Sequence, residues 1–227
     1  MEYGQIAGNK SINSMIYLCF DYIVKADRFK FLKKFQQQVN DSNQVMHTFR
    51  ELVLGAYLSS RGFHVRHDFV INDQTPDWSI LDASGELVTS IVELMSFHLD
   101  RVTEKEIDEQ FRINGLATYW RDRNKDNVNR LYQSIWHKAS KYKSLVNDLG
   151  IPYIVGVFPQ FEATVDLEEL HLCLLDEETG LFHMFPEISG VIFFEEISGR
   201  YVFNFLKSNN AIRDFGLRSS YFPKGAT

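Results

Sequence analysis

Asp77 and Glu93 are the two residues whose types and spacing point most clearly to chemistry. Thr75-Pro76-Asp77-Trp78-Ser79-Ile80-Leu81 reads as a strand, Asp82 to Glu86 as a turn, and Leu87 to Phe97 as a second strand. A turn centred near Gly85 makes this an antiparallel hairpin and sets residue 77 opposite residue 93. Directly opposed residues share a face, with Cβ atoms roughly 5 Å apart. Two carboxylates so placed repel each other unless a cation sits between them. Oxygen-only ligands at that separation suit Mg²⁺ or Mn²⁺, the usual partners of phosphate chemistry.

The elements that must position this pair can be read from periodicity and punctuation. Ser11 to about Gln38 carries a helical apolar pattern (Ile12, Met15, Ile16, Cys19, Ile23), with Ser11 as its expected N-cap. Asn40-Asp41-Ser42-Asn43 breaks it, and a second helix runs from about Gln44 to Ser60, stopped by Gly62. Phe63 to Ile71 reads as a strand leading into the hairpin. Asp100 to Asp126 is charged and irregular, an inserted helical or loop segment. Asn127 to about Leu149 is a strong helix closed by Gly150 and Pro152, and Tyr153 to Phe158 has the near-continuous apolar run of a buried strand. Asp166 caps a short Leu-rich helix, and Gly190 to Glu196 with Tyr201 to Leu206 forms a late hairpin.

Composition sets the bounds. A chain of 227 residues with 44% hydrophobic content can bury a real core. No apolar run is long enough for a membrane span, and the polar start, Met1 to Lys10, does not read as a signal peptide. Cys19 and Cys173 are the only cysteines and lack zinc spacing, which points to a reducing cytoplasm. His64 and His67, three apart on a strand, fall on opposite faces, which argues against a His-based metal site. The net charge of −6 excludes a protein that coats nucleic acid, but the charge is uneven. Arg121 to Lys143 holds seven basic residues (Arg121, Arg123, Lys125, Arg130, Lys138, Lys141, Lys143) against Asp122 and Asp126, whereas 160–199 holds ten acidic residues and no Lys or Arg. This is either a face for a polyanion or two solvated helix faces of opposite sign.

The order helix, strand, strand, strand, helix, strand over 44–158 includes Glu51 on the first helix, Pro76-Asp77 on the second strand and Val92-Glu93-Leu94 on the third. In this it resembles the core of the PD-(D/E)xK nuclease-like (restriction-endonuclease-like) superfamily. The resemblance covers about half the chain and rests on a short, degenerate motif. It implies an α/β fold with a restriction-endonuclease-like core that starts with three antiparallel strands. Residues 1–43 would be a helical extension of the domain spanning 44–227, with a C-terminal hairpin closing the fold. It also implies that Asp77, Glu93 and the backbone carbonyl of Leu94 hold the metal, that Glu51 reaches it through water, and that nucleic acid is the partner. Several nuclease-like domains dimerise, so a homodimer is open.

One departure matters. The family's Glu-x-Lys reads here as Glu93-Leu94-Met95, so the lysine is missing from its usual place. Some members carry it on the following helix instead. At 100° per residue, Leu131, Ile135, Tyr142, Leu145 and Leu149 fall in a narrow arc, Lys138 lies in the middle of that arc, Lys141 at its edge, and Lys143 points away. An ammonium inside an apolar stripe costs several kcal/mol unless it meets a carboxylate or water. Lys138 therefore either meets Asp77 or Glu93, with Lys141 the substitute, or snorkels to the surface. Glu51 lies beside the stripe of Leu54 and Leu58, and its neighbours four residues away, His47 and Gly55, offer no helical salt bridge. Ser96 and His98 alternate away from the Glu93 face, while Met95 and Phe97 share it. Trp120, Arg121 and Arg123 form either a stacking surface for a nucleic-acid strand or a loop anchor.

Three readings follow: a metal-dependent nuclease, a catalytically silent nuclease-like scaffold that binds nucleic acid or protein, or an unrelated α/β domain in which the two carboxylates serve only the fold.

Overall fold

Asn9, rather than Ser11, starts the first helix: its side-chain oxygen accepts from the Ser11 and Ile12 N–H groups. The computed structural model describes residues 8–98, 101–115, 123–160 and 165–223. Trp120, Arg121 and the side chain of Arg123 lie outside the described residues.

The expected single N-terminal helix is two, α1 (Lys10–Phe20) and α2 (Lys25–Gln37). The break has a tertiary cause. Asp27 and Phe31, near the start of α2, are fully buried. The Asp27 carboxylate accepts from the His67 N–H at 3.0 Å and from Arg66 Nε at 3.2 Å. Docking that carboxylate on a strand fixes the axis of α2, and α1 cannot continue along it.

Next comes α3 (Ser42–Ser60), capped by Asp41 and buried nearly all round from Thr48 to Leu58. A helix buried on every side lies inside a fold rather than on it. Here one side meets α1 and α2 and the other meets the sheet. At Gly55 a Cβ would fall 1.9 Å from Trp78 Cζ2, so the missing side chain lets the indole lie against the helix and donate from Nε1 to the Glu51 carbonyl at 2.9 Å.

The sheet has seven strands in sequential order: β1 (His64–His67), β2 (Trp78–Leu81), β3 (Val88–Phe97), β4 (Tyr153–Pro159), β5 (Ile188–Ile197), β6 (Arg200–Lys207) and β7 (Ser220–Phe222). The first three are antiparallel, β3–β4–β5 are parallel, and β5–β6–β7 return to antiparallel. Strand β1 is shorter than the apolar pattern implies, because Asp68, Asn72 and Asp73 take positive φ and turn the chain back before Thr75.

The two parallel crossovers carry the remaining helices: α4 (Arg101–Asn114) and α5 (Arg123–Leu149) before β4, then α6 (Leu167–Leu175) and α7 (Leu181–Met184) before β5. Gly150, at φ +64, closes α5 with its N–H on the Val146 carbonyl. The capping box predicted from Asp166 is present with Glu169.

Side-chain alternation divides the core into two layers. Ile91, Met95 and Phe97 face α5, α6 and α7, together with Leu131, Ile135, Ala139 and Tyr142. Val92, Leu94 and Trp78 face α3, whose partners include Cys19, Ile23 and Phe31 from the N-terminal helices. The chain is thus a mixed α/β protein with helices on both faces of one sheet. The stripe of α5 ends at Val146, since Leu149 is 38% exposed. Among the described residues no helix is long and apolar enough to cross a membrane.

Candidate metal centre

Strands β2 and β3 pair Trp78 with Val92, and the same register continued one rung places Asp77 across from Glu93. The two carboxylates interlock with each other's backbone. Asp77 N–H donates to Glu93 Oε1 at 2.9 Å, and Leu94 N–H donates to Asp77 Oδ2 at 2.6 Å. One rung further, Pro76 stands across from Leu94. A proline has no N–H, so Pro76 offers the Leu94 carbonyl no backbone donor there.

Lys138 reaches this pair from α5. Its Nζ is 2.8 Å from Glu93 Oε2 and 4.0 Å from Asp77 Oδ2. Lys141, one turn on, is 3.8 Å from the same Glu93 oxygen but much more exposed. Lys143 turns away to Glu187 at 3.2 Å. Arg130 donates to the His98 carbonyl. The basic residues of this helix therefore divide among several environments, and among the described residues Lys138 and Lys141 face the carboxylates.

Met95, where the resemblance would call for a lysine, is packed in the core at 6% exposure. Tyr142 belongs to the site as well: its hydroxyl donates to the Thr75 carbonyl at 3.1 Å. Burial, and then the neighbouring Glu93 charge, push its phenol far above the ordinary range. In the sequence it is indistinguishable from a core aromatic.

The electrostatics show a surplus of negative charge. Burial, Glu93 and Glu51 push the Asp77 carboxyl up to about 7, against the opposing pull of Lys138. Burial works against the Lys138 ammonium, yet Asp77 and Glu93 outweigh it and raise that group above the usual lysine value. A buried carboxylate pair with one close ammonium is a place where a divalent cation would be favourable. The Asp77 and Glu93 carboxylates are oxygen donors of the kind that Mg²⁺ or Mn²⁺ prefers.

Glu51 faces inward, as its stripe implies, but its direct partners are different ones. Its Oε1 is 2.7 Å from His67 Nε2 and 3.3 Å from Lys34 Nζ. It touches the Asp77–Glu93 pair only through longer-range electrostatics. Burial and the Asp68 charge push Glu51 up to about 7, with Lys34 opposing them. His67, against whose role as a ligand the spacing from His64 argues, stands in a different light here. It does lie opposite His64 on β1, but it is fully buried, and with Glu51 and Asp68 it forms a group whose ligand atoms lie within 4.8 Å of one another. Burial and then Lys34 lower its pKa to about 3, so the imidazole is neutral. A strand-pairing argument over two histidines could not detect a partnership with a helix and a turn.

Ser96 lies on the α3 side, where its hydroxyl meets His47 Nδ1 at 2.9 Å, as alternation from Glu93 predicts. Comparison of the chain with protein-family models, curated proteins and solved structures finds no match.

Proposed function

We propose that this chain is a metal-dependent phosphodiesterase of the PD-(D/E)xK type, acting on nucleic acid with Mg²⁺ or Mn²⁺, on a restriction-endonuclease-like core. The observation that carries this reading is Lys138. The cation that Met95 cannot supply comes from α5 and stands 2.8 Å from Glu93 and 4.0 Å from Asp77. Those three side chains, from β3, the residue before β2 and the following helix, meet where Asp77 and Lys138 retain 20% and 26% of their surface.

In this reading Asp77, Glu93 and the Leu94 carbonyl hold the ion. A divalent ion held there would polarise a phosphoryl oxygen and lower the pKa of a bound water. Lys138 neutralises charge that develops on the phosphoryl oxygens, a contribution of the kind worth about 2.7–4 kcal/mol in other enzymes. Lys141 provides a second, more exposed positive charge for the approaching polyanion, and Glu51 adds negative potential from the α3 side.

The competing reading is a silent scaffold that binds nucleic acid or protein. It is favoured by the engagement of both carboxylates with cross-strand N–H groups and by the complete burial of the Glu93 side chain. The two are separated by incubating labelled single-stranded DNA, duplex DNA and RNA with Mg²⁺ or Mn²⁺, beside Asp77→Ala and Lys138→Ala proteins. Metal-dependent cutting that disappears in both variants supports the enzyme. Metal binding that depends on Asp77, without cutting of any substrate, supports the scaffold.

A further inference from the structure

On the α3 side of the sheet, Lys34 of α2 extends its ammonium into the group formed by Glu51, His67 and Asp68. Its Nζ lies 3.3 Å from Glu51 Oε1, 3.2 Å from His67 Nε2 and 3.1 Å from Asp68 Oδ2. Three potential ligands from two chain segments, Glu51 on α3 and the adjacent His67 and Asp68 at the end of β1, thus converge on one positive charge. We propose that Glu51, His67 and Asp68 form a second cation seat, suited to a divalent transition metal, in which the Lys34 ammonium is the resident cation and excludes the metal while α2 is docked.

The hydrogen bonding of His67 is the independent sign that an ion fits. A neutral imidazole nitrogen is either a donor or an acceptor. Nε2 has a Glu51 carboxyl oxygen at 2.7 Å and an ammonium at 3.2 Å, and it cannot donate to a carboxylate while accepting from the ammonium. Nδ1 is buried with no hydrogen-bond partner and has Asp68 Oδ2 at 3.5 Å. A ring fully buried with one nitrogen over-subscribed and the other unsatisfied is poorly served by hydrogen bonds alone. A metal on one nitrogen resolves the conflict, because coordination takes the lone pair and leaves the other nitrogen a defined donor.

The donor set also differs from the Asp77–Glu93 pair. One imidazole with two carboxylates suits Mn²⁺, Co²⁺ or Zn²⁺, whereas all-oxygen ligands suit Mg²⁺. Metal–ligand distances of about 2.1 Å are shorter than the 3.1–3.3 Å contacts to Lys34, so the group closes slightly when the ammonium gives way. The partly exposed Lys34 and Asp68 side chains, at 29% and 31%, leave a route from solvent. The device that holds Lys34 in place is the docking of α2 by Asp27 on Arg66 and the His67 N–H. Nothing in this depends on the phosphodiesterase reading.

The test uses full-length metal-free protein titrated with Co²⁺, whose visible absorption reports the number and geometry of its ligands. Every arm carries Asp77→Asn to silence the first site. The Asp77→Asn protein alone should bind weakly or not at all at this seat. Adding Lys34→Met should give one new equivalent of Co²⁺, bound at least ten-fold more tightly, with a ligand-field spectrum. Adding His67→Gln to that protein should abolish the new site, and Lys34→Arg, which keeps the charge, should behave as the parent. Lys34→Gln serves as a second neutral variant if Lys34→Met melts early. No gain in either neutral variant overturns the proposal, as does a gain that survives His67→Gln. Equal Co²⁺ binding with and without Lys34 refutes its role as resident cation. Failure of the Asp77 site is read separately, from Mg²⁺ binding to the wild-type and Asp77→Asn proteins.

Discussion

Replacing Lys138 with Met removes the ammonium and keeps most of the apolar stem, which makes it the sharpest probe of the carboxylate pair. Removing one partner of a buried ion pair costs about 3–5 kcal/mol, because the other charge is left buried and alone. Lys138 and Asp77 retain a quarter and a fifth of their surface, so water offsets part of this, and about 2–3 kcal/mol is the expected loss. For a domain of this size that lowers Tm by about 5–10 °C. Lys141→Met is the internal control: 56% exposed and 3.8 Å from Glu93, it should cost under about 1 kcal/mol. The Lys138 penalty must also depend on pH. Without the ammonium, Asp77 takes up a proton more readily, and a protonated carboxyl needs no counter-charge, so the penalty shrinks at about pH 5.5 relative to about pH 8. Saturating Mg²⁺ at the higher pH should recover most of it by supplying positive charge. Thermal melts at the two pH values, with and without Mg²⁺, measure all three effects. A Lys138→Met protein that melts within about 2 °C of wild type at pH 8 would show that Lys138 does not neutralise the pair. A penalty equal at both pH values and indifferent to Mg²⁺ would mean that the lysine is packing and not charge.

Two further outcomes follow from the same geometry. In the metal-free wild-type protein, Asp77 and Glu51 both titrate near 7 when folded, above their ordinary values of 3.8 and 4.5. Their contribution to stability is therefore present below the unfolded values and is lost as pH rises through about 7; Tm should fall from about pH 5 to pH 8, and Asp77→Asn should flatten that fall. Gly55→Ala places a methyl 1.9 Å from the Trp78 ring, so α3 must move and the indole bond to Glu51 is strained. Urea unfolding should show a loss of about 3 kcal/mol, at the upper end for overpacking.

The legible parts of the fold are those decided by local arithmetic. The hairpin register is one: a turn near Gly85 fixes 77 across from 93, and Trp78 opposite Val92 confirms the count despite a register shift at Ile80 and Leu81. The inward position of Lys138 is another, since 100° per residue holds along a straight helix and the apolar arc identifies which side is covered. Glu51 was legible only by half. Its helix phase points it inward, but Lys34, His67 and Asp68 arrive from α2, β1 and the turn after β1, and no spacing rule relates those segments. The break between α1 and α2 was invisible for the same reason. The apolar period runs on through Cys19 and Ile23, and the docking of Asp27 against β1 overrides it. The end of β1 depended on positive φ at Asp68, Asn72 and Asp73, which Asp and Asn tolerate but do not announce.

Stability gives no reason to keep four carboxylates, Glu51, Asp68, Asp77 and Glu93, at one end of a sheet with three lysines. Buried ion pairs are often replaced by apolar residues of similar volume at no loss, or with a gain. Here the apolar alternative is close at hand, since Met95 and Tyr142 already pack around Glu93, and burial strongly penalises both Asp77 and Glu51 in their charged forms. Carboxylates held under such a penalty and facing ammonium groups from two different helices are what the proposed cation sites require. The two halves place their lysine differently. At Asp77 and Glu93 the lysine stands beside the pair. At Glu51, His67 and Asp68 it stands among the ligands. Lys138 and Lys34 should then respond oppositely to substitution: loss of Lys138 weakens what the first site does, whereas loss of Lys34 creates an affinity that the folded chain otherwise suppresses.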